Sequence, residues 1–77
     1  MERHTGRRTA IAAEVRAELA RQRKTKKSLA EATGISPYTL TRRLAGEKPF
    51  LAEELQDIVV FLELPMQDFL DRVEAHA

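Results

Sequence analysis

Cationic side chains, which can bind an anionic partner, lie almost entirely in the first part of this 77-residue sequence. Residues 1–48 carry twelve Lys and Arg residues against five acidic residues, a formal charge of +7. Residues 49–77 carry seven acidic residues against Arg72 alone, a formal charge of −6, so the net charge of +1 conceals a strong polarity. A cationic segment favours a polyanionic partner, although an unevenly charged solvated surface explains the same counts.

Few residues of this chain could support catalysis or metal binding. Cysteine is absent, which excludes disulfides and thiolate zinc sites. His4 and His76 stand near opposite ends, so no metal site, nucleophile–base pair or cofactor is predicted. The longest apolar run, residues 58–62, is too short to span a membrane, and the N-terminal arginines precede no secretory signal. We therefore expect a cytoplasmic protein that is not an enzyme and has no membrane partner.

Helix caps and helix stops divide the sequence into five short helices. Thr25 is an N-cap residue type and Gly34 is a helix stop, so the segment between them is predicted to be helical. Ser36 followed by Pro37 predicts another start, because proline fits the first helical turn. The predicted helices cover residues 10–22, 26–33, 36–45, 51–63 and 66–74, the first of them capped by Thr9. No strand or hairpin signal is present, which predicts an all-α bundle.

Residues 1–8 show no helical periodicity and are interpreted as a mobile basic arm before a single domain at residues 9–77. A chain of this length buries only about 60% of its unfolded surface, so it builds one small core. Apolar residues that recur at helical spacing are assigned to that core. They are Ile11, Val15, Leu19, Leu29, Ile35, Leu40, Leu44, Leu55, Ile58, Val59, Leu62, Phe69 and Leu70.

Residues 26–45, KKSLAEATGISPYTLTRRLA, carry the functional signal. Two short helices meet at Gly34-Ile35-Ser36, and a turn this tight makes them cross steeply. Ala30 is small where the second helix passes close to the first, and glycine at the turn tolerates positive φ. This segment resembles the helix-turn-helix of the phage Cro and C1 repressor family, also called the XRE family. The resemblance extends over about residues 10–72.

The resemblance implies a lambda-repressor-like fold in which helix 36–45 is the recognition helix and lies in the major groove of DNA. The residues that match the family's base-contacting positions are Pro37, Tyr38, Thr41 and Arg42. The residues assigned to phosphate contacts are Thr25, Lys26, Lys27, Thr39, Arg43 and Lys48. By analogy with other basic arms, Arg3, Arg7 and Arg8 reach a minor groove or make no specific contact. Thr33 and Arg43 stand where the family usually has apolar residues. The departure at Arg43 bears on how the recognition helix is turned about its axis, which leaves the set of base-reading side chains open.

The predicted partner is a double-stranded DNA operator, and the predicted function is that of a phage or prophage Cro-like repressor. Because one half-site offers few base contacts, we expect two copies to pair, either in solution or only on DNA. The candidate self-association residues are Phe50, Val60, Phe61 and residues 69–73. Two other functions stay open: an antitoxin or interaction module with a protein partner, and non-specific binding to nucleic acid or a membrane surface.

Overall fold

Five helices make up the computed structural model, which describes the backbone of residues 3–76 and the side chains of residues 6–76. They are α1 (Arg3–Gln22), α2 (Lys26–Thr33), α3 (Pro37–Leu44), α4 (Ala52–Leu62) and α5 (Met66–His76). No strand occurs in the described range, which confirms the all-α prediction. The helix α1 packs against α3, α4 and α5, while α2 packs against α3 and α4. None of these helices has both the length and the apolar character needed to cross a membrane.

Local capping interactions define the ends of α2 and α3. The Thr25 hydroxyl accepts a hydrogen bond from the Ser28 N–H at 3.0 Å, and the two residues form a capping box. Gly34 ends α2 at φ 76°, a left-handed conformation that glycine adopts without steric penalty. The Ser36 hydroxyl caps α3 by accepting a backbone N–H at 3.2 Å, and Pro37 occupies the first turn. The predicted boundaries of these two helices are therefore correct to within one residue.

The first helix begins at Arg3, so the prediction that it starts near residue 10 is wrong. Residues 3–8, interpreted from the sequence as part of an arm, continue the helix, and Thr9 lies inside it rather than at its N-cap. Gly6 and Thr9 each disfavour a helix by about 1 kcal/mol or less, and neither stops one as proline would. The absence of a strong stop signal lets the packed turns that follow extend the helix toward the N-terminus.

One apolar core receives side chains from all five helices. It contains Ala10, Val15, Leu19, Leu29, Ala30, Ile35, Leu40, Leu44, Ile58, Val59, Leu62, Phe69 and Val73. Ile11 and Leu55, assigned to the core from the sequence, are only partly buried at its edge. Leu70 is 40% exposed, so its assignment is wrong, and Val73 supplies the buried contact of α5 together with Phe69. Each Val, Leu, Ile or Phe side chain buried in this way contributes about 1.5–3 kcal/mol before conformational entropy is counted.

A buried polar network also joins α1 to α5. Glu14 and Glu18 of α1 are 1% and 5% exposed. Arg21 binds both of them, with Nη1 at 2.6 Å from Glu18 Oε1 and Nη2 at 3.1 Å from Glu14 Oε2. From α5, Arg72 Nη1 lies 2.7 Å from Glu18 Oε1, and His76 Nε2 lies 2.9 Å from Glu14 Oε1. Because a buried carboxylate is tolerated only when it is paired, this network fixes the position of α5 on α1.

The network predicts that Glu18→Gln lowers the free energy of unfolding at pH 7 by about 1–3 kcal/mol, because two arginines lose a buried counter-charge. Burial opposes the charged form of Glu18, but the hydrogen bond from Gln22 and the charges of Arg21 and Arg72 outweigh it and lower the pKa below 4.5. A depressed pKa means that the contribution of Glu18 is present above pH 4.5 and is lost as the pH falls further.

Urea unfolding of the two proteins across pH measures this contribution. The difference between wild type and Glu18→Gln should narrow as the pH falls below 4.5 and the Glu18 carboxylate is protonated. Glu74→Gln is the matched control, because Glu74 is exposed and its pairing with Arg7 at 3.9 Å is worth about 0–1 kcal/mol. An equal difference for Glu18→Gln at pH 7 and at the acidic end would contradict the account.

Candidate nucleic-acid interface

The outward face of α3 is set by the face that the helix buries. Leu40 and Leu44, four residues apart, are 1% and 3% exposed and hold α3 against the core. Tyr38 is 72% exposed, and Pro37 and Thr41 are exposed as well. The first turn of the helix and its outer side therefore face solvent. A helix presented in this way has the width and the free side chains to enter the major groove of B-DNA.

Arg42 lies on the same face and is held by two neighbours. Its Nε donates to Glu47 Oε1 at 3.2 Å, and its Nη1 donates to the Tyr38 hydroxyl at 3.5 Å. The guanidinium carbon lies 5.8 Å from the centroid of the Tyr38 ring, within cation–π range. These contacts raise the pKa of Arg42, the hydrogen bond to Glu47 most of all, so the group stays charged.

Arg43 lines the groove that Lys48 borders, but its guanidinium is engaged by an acidic side chain, so its assignment to a phosphate contact stays a prediction. Its Nη1 binds Glu54 Oε1 of α4, and both side chains are only 17% exposed. The same carboxylate accepts the Leu51 N–H at 2.8 Å and so caps the start of α4. Arg43 therefore ties α3 to α4. The chain departs from the family pattern at this position, because a charged side chain packs where an apolar one usually does.

Free lysines border α3 along two grooves. Lys26 and Lys27 are exposed at the first turn of α2 and line one groove, to which Thr41 also contributes. Lys48 is exposed beyond the end of α3 and lines another groove, to which Arg42 also contributes. Ammonium groups beside a helix N-terminus favour an anion there, because the helix dipole adds to their field.

The two threonines assigned to phosphate contacts use their hydroxyls within the helix-turn-helix. The Thr25 hydroxyl belongs to the capping box of α2, and the Thr39 hydroxyl accepts the Ser36 hydroxyl at 3.0 Å. Both threonines stand at a helix N-terminus, Thr25 exposed and Thr39 partly buried. Their hydroxyls primarily stabilise the two helix starts.

The basic residues assigned to an arm do not form one group. The side chain of Arg3 lies outside the described residues. Arg7 points to α5, where its Nη1 is 3.9 Å from Glu74 Oε2, and Arg8 donates to the Glu47 carbonyl at 3.5 Å in the loop after α3. The two side chains thus contact different elements from positions on a helix, which differs from the flexible arm predicted from the sequence.

Two cationic side chains that the sequence did not identify, Arg16 and Lys24, bind backbone carbonyls near the C-terminal ends of α3 and α4. Arg16 donates to the Leu44 carbonyl and so satisfies the C-terminal end of α3. Lys24 donates to the Phe61 carbonyl at 2.8 Å, and its Nζ lies 4.4 Å from the centroid of the Phe61 ring. Both contacts depend on how distant segments pack, and no local sequence signal identifies them.

The residues proposed for self-association divide into buried and exposed groups. Phe69 and Val73 belong to the core, and Phe61 is partly buried beneath Lys24. Val60 of α4 is 75% exposed and Leu70 of α5 is 40% exposed. Among these candidates, Val60 and Leu70 are therefore the large apolar side chains that stay exposed, and self-association stays a prediction.

Comparison with known proteins gives two similarities. A family model described as the Cro/C1-type HTH DNA-binding domain matches residues 14–75. Among solved structures, the chain is similar to the crystal structure of the clp gene regulator ClgR from Corynebacterium glutamicum, at 29% sequence identity and a TM-score of 0.85. That similarity covers 90% of this chain and 73% of the ClgR chain. A search of curated proteins found no match.

The position of Arg43 predicts that Arg43→Ala destabilises the fold by about 1–3 kcal/mol, because Glu54 loses its partner in a largely buried pair. Arg42→Ala is the matched control, and we expect it to destabilise the fold less than Arg43→Ala does, because the Arg42–Glu47 ion pair is exposed. Thermal and urea unfolding measure both. If Arg43→Ala left stability unchanged but reduced the salt dependence of nucleic-acid binding, Arg43 would be a phosphate contact after all.

Proposed function

Because the chain belongs to the Cro/C1-type helix-turn-helix DNA-binding family, we propose that it is a sequence-specific regulator that inserts α3 into the major groove of an operator. Family membership and the similarity to a gene regulator support DNA-binding transcription regulation. The observation that carries the finer proposal is the solvated face of α3, where Tyr38, Thr41 and Arg42 stand free of the core.

Each side chain on this face has a chemistry that suits a base edge. The Arg42 guanidinium bonds guanine O6 and N7 together, which is worth about 1–3 kcal/mol of discrimination. Thr41 offers a hydroxyl to a base and a methyl group to thymine, and the Tyr38 ring contacts a thymine methyl or a base edge. Pro37 has no N–H to donate and contributes van der Waals contact at the helix start.

The phosphate backbone supplies the sequence-independent part of the affinity in this proposal. Lys26 and Lys27, with the N-terminus of α2, bind phosphates on one side of the groove. Lys48 binds the phosphate backbone of the DNA near the C-terminal end of α3. The acidic second half of the chain is repelled by phosphate, so it orients the cationic side toward the duplex.

We extend the proposal to repression of the phage Cro-like type, in the cytoplasm. Filling the major groove over an operator excludes other proteins from it, which needs no further activity. One recognition helix reads few bases, so two copies bind half-sites about one helical turn apart, paired in solution or only on DNA. The whole chain acts as one DNA-binding unit in this scheme.

Selection of bound duplexes from a random pool at about 50 mM and about 200 mM salt tests the proposal. We expect a common sequence with at least one required guanine and a spacing that reports the half-sites. A pool that stays random at both salt concentrations would contradict sequence-specific binding. Co-purification of a stoichiometric protein partner in that case would favour the alternative interaction module.

Arg42→Ala should weaken binding to the selected duplex by about 1–3 kcal/mol and relax the preference for one guanine. Competition binding against duplexes substituted at each position measures both effects. Arg7→Ala is the matched control, because Arg7 forms an exposed ion pair with Glu74 of α5 instead of facing the groove. An unchanged base preference for Arg42→Ala would remove Arg42 from base readout.

Lys26→Ala should weaken binding to every sequence alike and reduce the salt slope of log K by about 1, because one phosphate contact and its released counterion are lost. Arg7→Ala serves as the control, since that arginine faces α5. Titrations at several salt concentrations measure the slope. A change in base preference without a change in slope would contradict a phosphate role for Lys26.

A further inference from the structure

The end of α3 brings an acidic side chain against the arginine that the proposed function assigns to base readout. Gly46 adopts φ 81°, and the Glu47 N–H then donates back to the Arg42 carbonyl at 3.0 Å. This is the six-to-one hydrogen bond of a Schellman motif, in which the N–H of the residue after the left-handed glycine bonds a carbonyl in the last turn of the helix. The backbone therefore sets the Glu47 carboxylate next to the Arg42 guanidinium.

The contact between these side chains occupies one edge of the guanidinium. Arg42 Nε donates to Glu47 Oε1 at 3.2 Å, while the Tyr38 ring lies 5.8 Å from the guanidinium carbon. A guanidinium has five N–H donors in a planar fork, and two edges of the fork match guanine. With Nε bonded to the carboxylate, the remaining edge is the one that carries the two Nη groups.

We propose that Glu47 is a positioning residue that holds the Arg42 fork for end-on, two-bond recognition of guanine by Nη1 and Nη2. The inference rests on the proposed function, because it needs Arg42 to read a base. The carboxylate accepts the Nε–H, and the Tyr38 ring restricts the orientation of the guanidinium plane. Arg42 therefore loses less rotamer freedom when it binds the guanine. When the guanine binds, it replaces the Tyr38 hydroxyl as the acceptor of the weak hydrogen bond from Nη1, which measures 3.5 Å.

A carboxylate at this place has a cost that makes its role measurable. Glu47 has a side chain that is 59% exposed, and its negative charge opposes the approach of any phosphate backbone. Removing it should therefore raise affinity for random duplex while lowering discrimination at one base pair. A residue that only stabilised the fold would lower both affinities together.

Three variants separate positioning from charge. Glu47→Ala removes both the charge and the acceptor for Nε, whereas Glu47→Gln removes the charge and keeps an acceptor oxygen. Glu53→Ala is the matched control, since it removes an exposed acidic charge from α4. Each is measured on the selected duplex, on the same duplex with A·T at the position that Arg42→Ala relaxes, and on random duplex.

We expect Glu47→Ala to reduce the preference for guanine at that position about three- to tenfold, and Glu47→Gln to retain more of the preference. Both should bind random duplex as well as or better than wild type. In the Arg42→Ala background, Glu47→Ala should leave the preference unchanged, because the group that it positions is absent. Glu53→Ala should leave the preference intact.

Several results would overturn the inference. They are an unchanged guanine preference in Glu47→Ala, an equal loss of affinity for all three duplexes, and the same loss of preference with and without Arg42. If Arg42→Ala relaxes one position and Glu47→Ala does not, only the role of Glu47 fails. If Arg42→Ala relaxes no position, the base readout in the proposed function fails, and the role of Glu47 fails with it.

Discussion

The structure depends on the burial of Leu40 and Leu44, because α3 is only eight residues long. An isolated helix of that length is not stable in water, so its existence relies on tertiary packing and on its end contacts. The Ser36 hydroxyl satisfies the N-terminal end, and the Arg16 side chain satisfies the Leu44 carbonyl at the other end. Since the buried face is fixed, the outward face is fixed as well, and Tyr38 and Thr41 project from it.

The distribution of paired and free cations gives this face its electrostatic character. Arg21 and Arg72 neutralise the buried glutamates between α1 and α5, and Arg43 pairs with Glu54. Because Glu54 belongs to the acidic second half of the chain, its pair with Arg43 lowers the positive charge that the first half offers to a partner. The lysines that remain free beside α3, at positions 26, 27 and 48, border the grooves that flank the helix. Arginine thus serves largely in internal ion pairs, and lysine supplies much of the exposed positive charge.

Local signals predicted the helix-turn-helix well, and non-local packing accounts for what they missed. Gly34, Ser36 and Pro37 act within one turn of themselves, so the ends of α2 and α3 followed from residue type. The choice between Arg42 and Arg43 depends on where α4 carries Glu54, which no local pattern reveals. Glu14 and Glu18 resemble ordinary surface residues of an alanine-rich helix until α5 covers them. The start of α1 was mispredicted because the residues before Thr9 lack periodicity without containing a stop signal.

Intermolecular NOEs in a complex with the selected duplex test most directly whether α3 lies in the major groove. With α3 in the groove, we expect NOEs from the Tyr38 ring and the Thr41 methyl group to thymine methyl groups and cytosine H5 protons, which line the major groove. Contacts from these residues to adenine H2 in the minor groove, or NOEs to DNA from α5 in place of α3, would contradict it.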